Sequence, residues 1–449
     1  MNVQSRNLFI SLVIPLLIIF TRPFGLSFDQ SMVLATLILT ITLWVNGAVH
    51  KTIVSLMALL LFFAFGHPPI QKLLQFPLSE NFILIVFAFV FSQGIANSGL
   101  PEILIEPFLI RHATTKYRLL FVIFLLAFLM IFVIPQPFSR VIILSHIFSR
   151  YYDKLALPKA VREPLLFAVF LFSMFINMTM IRGDIILNNA LIAMSGQAIN
   201  ELMWLKVMFP PTLLYCLLGL LLFGFIFHTE LTAYQNISAG FTHQAHAKMT
   251  AAQKRYLIIL AAMLIAWATE DFHGLSGTYI VVISTLLMFP LGLLHKHDLK
   301  SVNGHLLIFL TAAFAIGPVM TVSGLADILF SGFIHIFPET FNVVYQAAVL
   351  FVTGLLHMVL GSNITTMSVV IPGLMTVSSG IASPTVMMFL IFITVCGHFI
   401  LPFHNVILLI GNGSGLYDAK PVVKYGLWLL PVMVLAAFLI YLPWWQFVL

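Results

Sequence analysis

Apolar runs of membrane-spanning length recur along this chain of 449 residues from Leu8 to the C-terminus, and they restrict its folds more than any other feature. Each such run needs ~20 residues to cross ~30 Å of hydrocarbon. Inside that solvent every backbone N–H and C=O must be satisfied by the chain itself, so a spanning segment is a helix or part of a closed barrel. Runs of this length and number describe an all-α polytopic membrane protein, not a receptor with one anchor or a monotopic enzyme. Composition agrees: 61% of residues are hydrophobic and 8% charged, where a soluble domain carries roughly a quarter charged. Cys216 and Cys396 stand singly in apolar runs, which leaves no disulfide framework and no cysteine metal cluster. The net charge of +6 reads as the loop excess of Lys and Arg that orients membrane proteins, so no nucleic-acid partner is expected.

Gly and Pro separate the first expected spans, 8–21, 31–47, 53–66 and 81–97. Arg6 precedes the first run, but no small-residue cleavage site follows it, so 8–21 is expected as a retained helix and not as a signal peptide. The stretch 100–118 mixes Glu102, Glu106, Arg111, His112, Lys116 and Arg118 with Leu and Ile, which suits a helix lying along the interface. A span 119–134 follows. Proline and polar residues at the start of 135–150 then predict a re-entrant hairpin. Arg150, Lys154, Lys159 and Arg162 crowd the next loop, which places it in the cytoplasm. Apolar 165–177 and 185–194 flank a polar interruption at 178–184, a pattern expected of two half-helices. A span over 203–228 completes this half, and the longest polar stretch, 229–255, comes next.

The resulting division is 1–80, N-terminal scaffold helices; 81–228, a first repeat; 229–255, a polar linker; and 256–449, a second repeat. The second repeat is expected to hold spans at 256–269, 279–294, 305–322, 343–360, 386–400 and 426–442. An interfacial piece runs to Phe337, and polar breaks fall at 361–366 and 401–405. In total about 11 spans and two re-entrant hairpins are expected.

Two stretches support a duplication. Ile95-Ala96-Asn97-Ser98-Gly99-Leu100-Pro101-Glu102-Ile103-Leu104 and Met320-Thr321-Val322-Ser323-Gly324-Leu325-Ala326-Asp327-Ile328-Leu329 read almost alike at an offset of 225. At an offset of 227 Gln136 falls on Asn363 and Ser139 on Thr366, at 221 Asp184 falls on Asn405, and at 218 Lys206 falls on Lys424. Coincidence between two apolar sequences is the alternative, and it has to produce Ser-Gly-Leu and four polar matches together. An inverted repeat with discontinuous helices is the build of secondary transporters, whose substrate and ion sites form where the helices are interrupted.

The four interruptions contain the candidate chemistry. They are Pro135-Gln136-Pro137-Phe138-Ser139-Arg140, Met178-Thr179-Met180-Ile181-Arg182-Gly183-Asp184, Gly361-Ser362-Asn363-Ile364-Thr365-Thr366 and Leu401-Pro402-Phe403-His404-Asn405. Non-helical backbone in a membrane protein is tolerated where protein or water covers it, and there it offers amides and carbonyls to a ligand. Arg140 and Arg182 lie beside first-half breaks, and burying an arginine at a helix centre costs ~2.5–3.5 kcal/mol on insertion scales, so something must offset it. His357, His398 and His404 are titratable groups inside apolar runs, and with Asp184 they offer a proton path; isolated packing roles are the plainer alternative. His243 and His246 stand alone as metal ligands and read as a solvated loop. Asn236-Ile237-Ser238 has the form of a glycosylation triplet, in a loop expected to be cytoplasmic. The rings of Tyr441, Trp444 and Trp445 read as an interfacial anchor. No Gly-x-Ser-x-Gly elbow, phosphate-binding P-loop or His-Glu-x-x-His occurs, and an enzyme is not expected.

Ser362-Asn363-Ile364-Thr365-Thr366, followed by Val369-Val370-Ile371-Pro372, resembles the Ser-Asn-Thr signature and trailing proline of the divalent anion/sodium symporter family. Leu401-Pro402-Phe403-His404-Asn405, with Gly411, Gly415 and Lys424-Tyr425-Gly426 after it, is similar to that family's last broken helix, and the likeness extends from about Ser31 onward. The resemblance implies a homodimer in a bacterial-type inner membrane, with one part of each protomer fixed and the hairpins moving across the bilayer. It implies a di- or tricarboxylate or sulfate held between two hairpin tips, and sodium held by hydroxyls, amide oxygens and carbonyls, with no other cofactor.

Residue by residue, Ser362, Asn363 and Thr366 match the second tip and become the expected sodium ligands, with Ile364 in place of a threonine. In the first tip only Gln136 and Ser139 keep comparable polarity. Asn405 matches the last break, and Asp184 takes the asparagine position in the first. The expected anion contacts are therefore Gln136, Ser139, Arg140, Arg182, Ser362, Asn363, Thr365, Thr366 and Asn405, with Asp184 and His404 as coupling groups. A guanidinium pairs bidentately with carboxylate, so Arg140 or Arg182 is the expected counter-charge for a dianion; the alternative is an Arg182–Asp184 ion pair that holds the hairpin. Coupling to sodium, to protons or to counter-anion stays open. So do a cation/proton antiporter using Asp184 and a transporter-like receptor that no longer transports.

Overall fold

A computed structural model describes residues 3–46, 48–134, 136–232, 234, 249–325, 328 and 337–449, and all regular structure among them is helical. Among the described residues five helices are long and apolar enough to span a membrane: Lys116–Val133, Lys159–Thr179, Glu201–Ile226, Gly304–Val322 and Ala419–Val448. A sixth is the pair Phe82–Ser98 and Ile103–His112, bent by 62°. Shorter apolar helices include Phe28–Trp44, Lys51–Gly66, Gly277–Met288, Val343–Met358, Asn363–Val377 and Pro384–Gly397. Pro135, most of the linker 229–255 with Asn236, His243 and His246, and most of the second interfacial piece lie outside the described residues.

Packing divides the chain into two compact units, each drawn from both halves of the sequence. One comprises Met1–Phe82, Asn189–Ile199 and Asn303–Gly397; the other comprises Ile83–Asn188, Asn200–Val302 and His398–Leu449.

In the first unit Lys51–Gly66 packs against Phe28–Asn46 and Gly304–Val322. Gly66 permits the close approach, since a Cβ there would stand 2.7 Å from Val319 Cγ1. The rings of Trp44 and Phe309 meet edge-on at 4.7 Å, and Phe76 stacks on Phe314 at the same separation. Helix Asn363–Val377 packs against both Gly304–Val322 and Pro384–Gly397. Every residue from Met387 to Gly397 is buried, as an all-round apolar helix requires.

The second unit is built around Lys159–Ile176, in which every residue from Pro164 to Ile176 is buried. Lys116–Val133, Pro137–Lys154, Glu201–Ile226, Val406–Gly413 and Ala419–Ala436 surround it. The Phe167 ring lies 5.5 Å from Tyr417, 5.9 Å from Tyr425 and 6.1 Å from Phe223. Burying one such ring stabilises by ~1.5–3 kcal/mol.

Two prolines explain the C-terminal tryptophans. Pro210 and Pro211 lack N–H groups, so the carbonyls four residues earlier, on Lys206 and Val207, lose their intrahelical donors. Trp444 Nε1 donates to Lys206 O at 3.0 Å and Trp445 Nε1 to Val207 O at 3.1 Å. Trp445 is buried. This pair repairs a helix, and the burial of Tyr441 and Trp445 corrects the anchor expected of those two rings, while Trp444 stays half-buried; an apolar run ending in two indoles does not reveal a partner helix broken at matching positions.

The expected breaks also change in extent. The stretch 135–150 does not fold back within itself: the chain leaves helix at Ile134 and resumes a single helix, Pro137–Lys154, with Gln136 at its N-cap. The break expected at 361–366 shrinks to Gly361 and Ser362, because Asn363 to Thr366 form the first turn of a helix that continues to Val377. Polar residues crowding a helix start look like loop in a one-dimensional reading.

Candidate functional site

Each unit contains an irregular polar cluster among the described residues. In the second unit it joins the Gln136 tip to the break after Lys159–Ile176, where two short 3₁₀ turns, Asn177–Thr179 and Ile181–Asp184, replace regular helix. Unwound backbone leaves carbonyls to be satisfied, and side chains supply the donors one by one. Asn188 Nδ2 donates to Asn177 O and Met180 O at 2.8 Å each, and Trp204 Nε1 donates to Met178 O at 3.1 Å. Arg140 supplies the rest. Its Nη1 donates to Ile134 O at 3.0 Å, and its Nη2 donates to both Asn177 Oδ1 and Gly183 O. The arginine is fully buried. Gly183 has to be glycine, because a Cβ would stand 2.2 Å from Asn177 O.

The amide orientations in this cluster follow from the network. Gln136 Oε1 accepts from Ser139 N, capping Pro137–Lys154, so its Nε2 is the free end. Asn177 Oδ1 accepts from Arg140, so its Nδ2 is the free end. Gln136 Nε2, Asn177 Nδ2 and Arg140 Nε are buried without a hydrogen-bond partner among the described residues. All three are N–H donors.

Asp184 is buried, and its Oδ1 accepts from Ile186 N and Leu187 N at 3.0 Å each, capping the helix that resumes at Leu187. Its charge attracts that of Arg140. Asn405 does the same work at the other break of this unit, accepting from Ile407 N at 2.9 Å to cap Val406–Gly413. His404 Nδ1 accepts from Ile400 N at 3.1 Å, which leaves the ring proton of the neutral form on Nε2.

Arg182 faces elsewhere. Its guanidinium lies 4.1 Å from the centre of the Trp267 ring and 3.8 Å from Glu201 Oε2. No ion pair joins it to Asp184 among the described residues, so the Arg182–Asp184 alternative is replaced by a pair with Glu201. The carboxylate partner comes from a distant helix start that sequence proximity did not indicate.

In the first unit the cluster is the Ser362 tip. Gly361 takes the left-handed conformation (φ 62°), Ser362 is extended at the N-cap, and helix begins at Asn363. Thr366 Oγ1 donates to Ser362 O at 2.8 Å and Ser368 Oγ to Thr365 O at 2.8 Å. Asn363 Nδ2 donates to Cys396 Sγ at 3.3 Å, near the end of Pro384–Gly397. Asn363 Oδ1 and Thr365 Oγ1 are buried without a hydrogen-bond partner among the described residues. These two oxygens, unlike the three N–H donors of the Gln136 cluster, fit a sodium ion, a hard cation that takes oxygen ligands. Of the residues expected to hold sodium, Asn363 has an open oxygen, while the Thr366 hydroxyl donates its proton to Ser362 O and keeps its lone pairs. A cavity of about 380 Å³ lined by Met375, Ser378 and Ile381 opens at the opposite end of this helix.

Sequence reasoning missed Asn177, Asn188, Trp204 and Cys396. Asn188 had a signal, the Asn188-Asn189 pair in an apolar half-helix; Trp204 had none.

Apolar helices interrupted by irregular segments that hold buried, unsatisfied polar atoms are the architecture of a secondary transporter. The family described as the sodium:sulfate symporter transmembrane region matches residues 2–449, and the chain belongs to that family. It is thus a multi-pass membrane protein of the secondary anion transporter type. No curated protein matches the chain.

Proposed function

We propose that the protein moves a small dianion across the inner cell membrane by alternating access, with sodium bound at the Ser362 tip. A dicarboxylate is the first candidate and sulfate the second. The observation that carries this reading is the chemical sign of the leftover atoms: N–H donors at Gln136, Asn177 and Arg140, and oxygens at Asn363 and Thr365. A buried polar atom without a partner costs ~1–3 kcal/mol, which a ligand of matching character recovers. Carboxylate or sulfate oxygens match the first set and sodium the second. Ser139, Ser362, Thr366 and Asn405 shape the two clusters, and Arg182, paired with Glu201, has the weaker case as an anion contact. The family membership favours anion carriage over cation/proton antiport or a silent receptor. A homodimer belongs to the same reading, tested by native mass spectrometry.

The test is a thermal-shift screen of dicarboxylates, tricarboxylates, sulfate and phosphate, each in sodium and in choline at equal ionic strength. A ligand at a hundred times its Kd stabilises by ~2.7 kcal/mol. Stabilisation by a dianion, larger in sodium, is the expected result. No shift with any anion in either salt overturns the proposal.

A further inference from the structure

Three oxygens from two irregular segments converge on the Arg140 guanidinium: Ile134 O from the tip, and Asn177 Oδ1 and Gly183 O from the break. Two are backbone carbonyls and one is an amide, so none carries a charge. The cation they enclose is fully buried, and no carboxylate forms an ion pair with it among the described residues; Asp184 attracts it from farther off. Neutral carbonyl-type oxygens around one positive charge are the donor set of an alkali-cation site, filled here by a group that cannot leave.

The chemistry explains why such a group is useful. The oxygens belong to unwound backbone, which needs positive partners whether or not substrate is present. A dissolved ion would have to lose water on each arrival, and its occupancy would follow its concentration. A guanidinium is weakly hydrated, charged at all working pH values and tethered.

We infer that Arg140 is a resident cation: it permanently fills an oxygen cage between the tip and the break, so this unit needs no dissolved cation to become competent for anion. Exchangeable cation is then confined to the Ser362 tip. The coupling consequence rests on the anion-transport reading, but the cage itself does not.

Arg140→Ala empties the cage, and the test is chemical rescue without any anion substrate. Purified variant and wild type are melted in choline, sodium, potassium and methylguanidinium chlorides at equal, low millimolar strength. The variant is expected to melt below the wild type in choline and to recover at least half of that loss, saturably, in sodium or methylguanidinium. The wild type is expected to show no methylguanidinium response, and only the smaller sodium response of the Ser362 tip. Absence of any cation effect beyond the wild type's own overturns the inference.

Should Arg140→Ala yield no folded protein, Arg140→Lys and Arg140→Met decide. The lysine variant keeps a cation within reach and is expected to melt well above the methionine variant; equal melting overturns the inference. Anion binding by the wild type is measured separately, so either idea can fail while the other stands.

Discussion

Replacing Asp184 distinguishes a carboxylate that caps a helix from one that carries protons. Its Oδ1 accepts from two buried amides, Ile186 N and Leu187 N, both at 3.0 Å. Asp184→Ala strands both, at ~1–3 kcal/mol each before relaxation. The two sum to ~2–6 kcal/mol, and relaxation of the cap trims the upper end to an expected loss of ~2–4 kcal/mol, above the ~0.5–2 kcal/mol typical of a cap. Asp184→Asn keeps an oxygen for the same two amides and gives up only the attraction to Arg140, for ~1 kcal/mol. Unfolding entropy of ~2.1 cal/mol/K per residue translates to roughly 1 °C per kcal/mol for a chain of this length. Midpoints followed by tryptophan fluorescence at one fixed heating rate should therefore fall by ~2–4 °C for alanine and ~1 °C for asparagine. Uptake of the anion identified by the screen, measured in proteoliposomes, should survive in the asparagine variant. An asparagine variant that melts like wild type yet transports nothing would refute the capping role and make the carboxylate a proton carrier.

Gly183→Ala should lower the midpoint by an amount equivalent to ~1–3 kcal/mol of overpacking, because the clash is with the backbone of Asn177; an unchanged midpoint would show that the two turns are not in contact. Thr365→Val should leave stability in choline unchanged while removing the sodium-dependent shift, whereas Thr366→Val should lose the bond to Ser362 O, at ~0.5–1.5 kcal/mol, and keep some sodium response. A double-mutant cycle between Trp445→Phe and Pro211→Ala should show coupling of ~1–3 kcal/mol, since replacing the proline restores the backbone N–H for which the indole otherwise substitutes at Val207 O; additivity would exclude the repair. At Glu230, burial is the largest single influence and raises the carboxyl pKa, but the hydrogen bond from Lys424 at 2.7 Å, a backbone hydrogen bond and the charges of Lys424 and His228 together outweigh it and hold the net value below the usual one. The pair's contribution, of at most ~1 kcal/mol, is therefore complete above the unfolded carboxyl pKa and is lost as pH falls through the folded one. Lys424→Gln should flatten that acid limb of the midpoint-versus-pH curve, and an unaltered limb would show that the pair contributes nothing.

The helices and interruptions were legible because they rest on hydropathy and on polar residues in apolar runs, both local signals. Gln136, Arg140, Asp184, Asn363 and Asn405 all stood out as polar residues beside a break, and each proves to be a cap or a tip residue. What they touch was not legible. Whether Arg182 meets Asp184, two residues away, or Glu201, nineteen away, depends on where helix Glu201–Ile226 begins in space. Register was also coarse. The N-cap positions are Gln136 and Ser362, so helix position pairs these two, where polarity alone paired Gln136 with Asn363. The Trp444 and Trp445 repair depends on two prolines more than 230 residues earlier, beyond the reach of any local pattern.

Arg140 does not by itself require a bound anion. Read from sequence, a buried arginine costing ~2.5–3.5 kcal/mol demands an external partner, and a dianion is the natural one. In the structure Arg140 makes three hydrogen bonds to neutral oxygens, and bonds of this charged kind contribute ~1.5–3 kcal/mol each. On the insertion scale their sum exceeds the burial cost, so the charge of Arg140 is accommodated with no substrate present, and only its unpartnered Nε speaks for one. The neighbouring amides are better evidence: Gln136 Nε2 and Asn177 Nδ2, turned away from their bonded oxygens, are buried donors with no partner among the described residues, where Arg140 leaves only its Nε unmet. Substituting those amides, more than substituting the arginine, should therefore weaken anion binding while leaving the fold intact. Gln136→Glu and Asn177→Asp keep the capping and arginine-bonded oxygens but replace each free donor with an acceptor. Both should abolish the anion-induced thermal shift, and retention of that shift in either variant would show that its amide N–H does not face the anion.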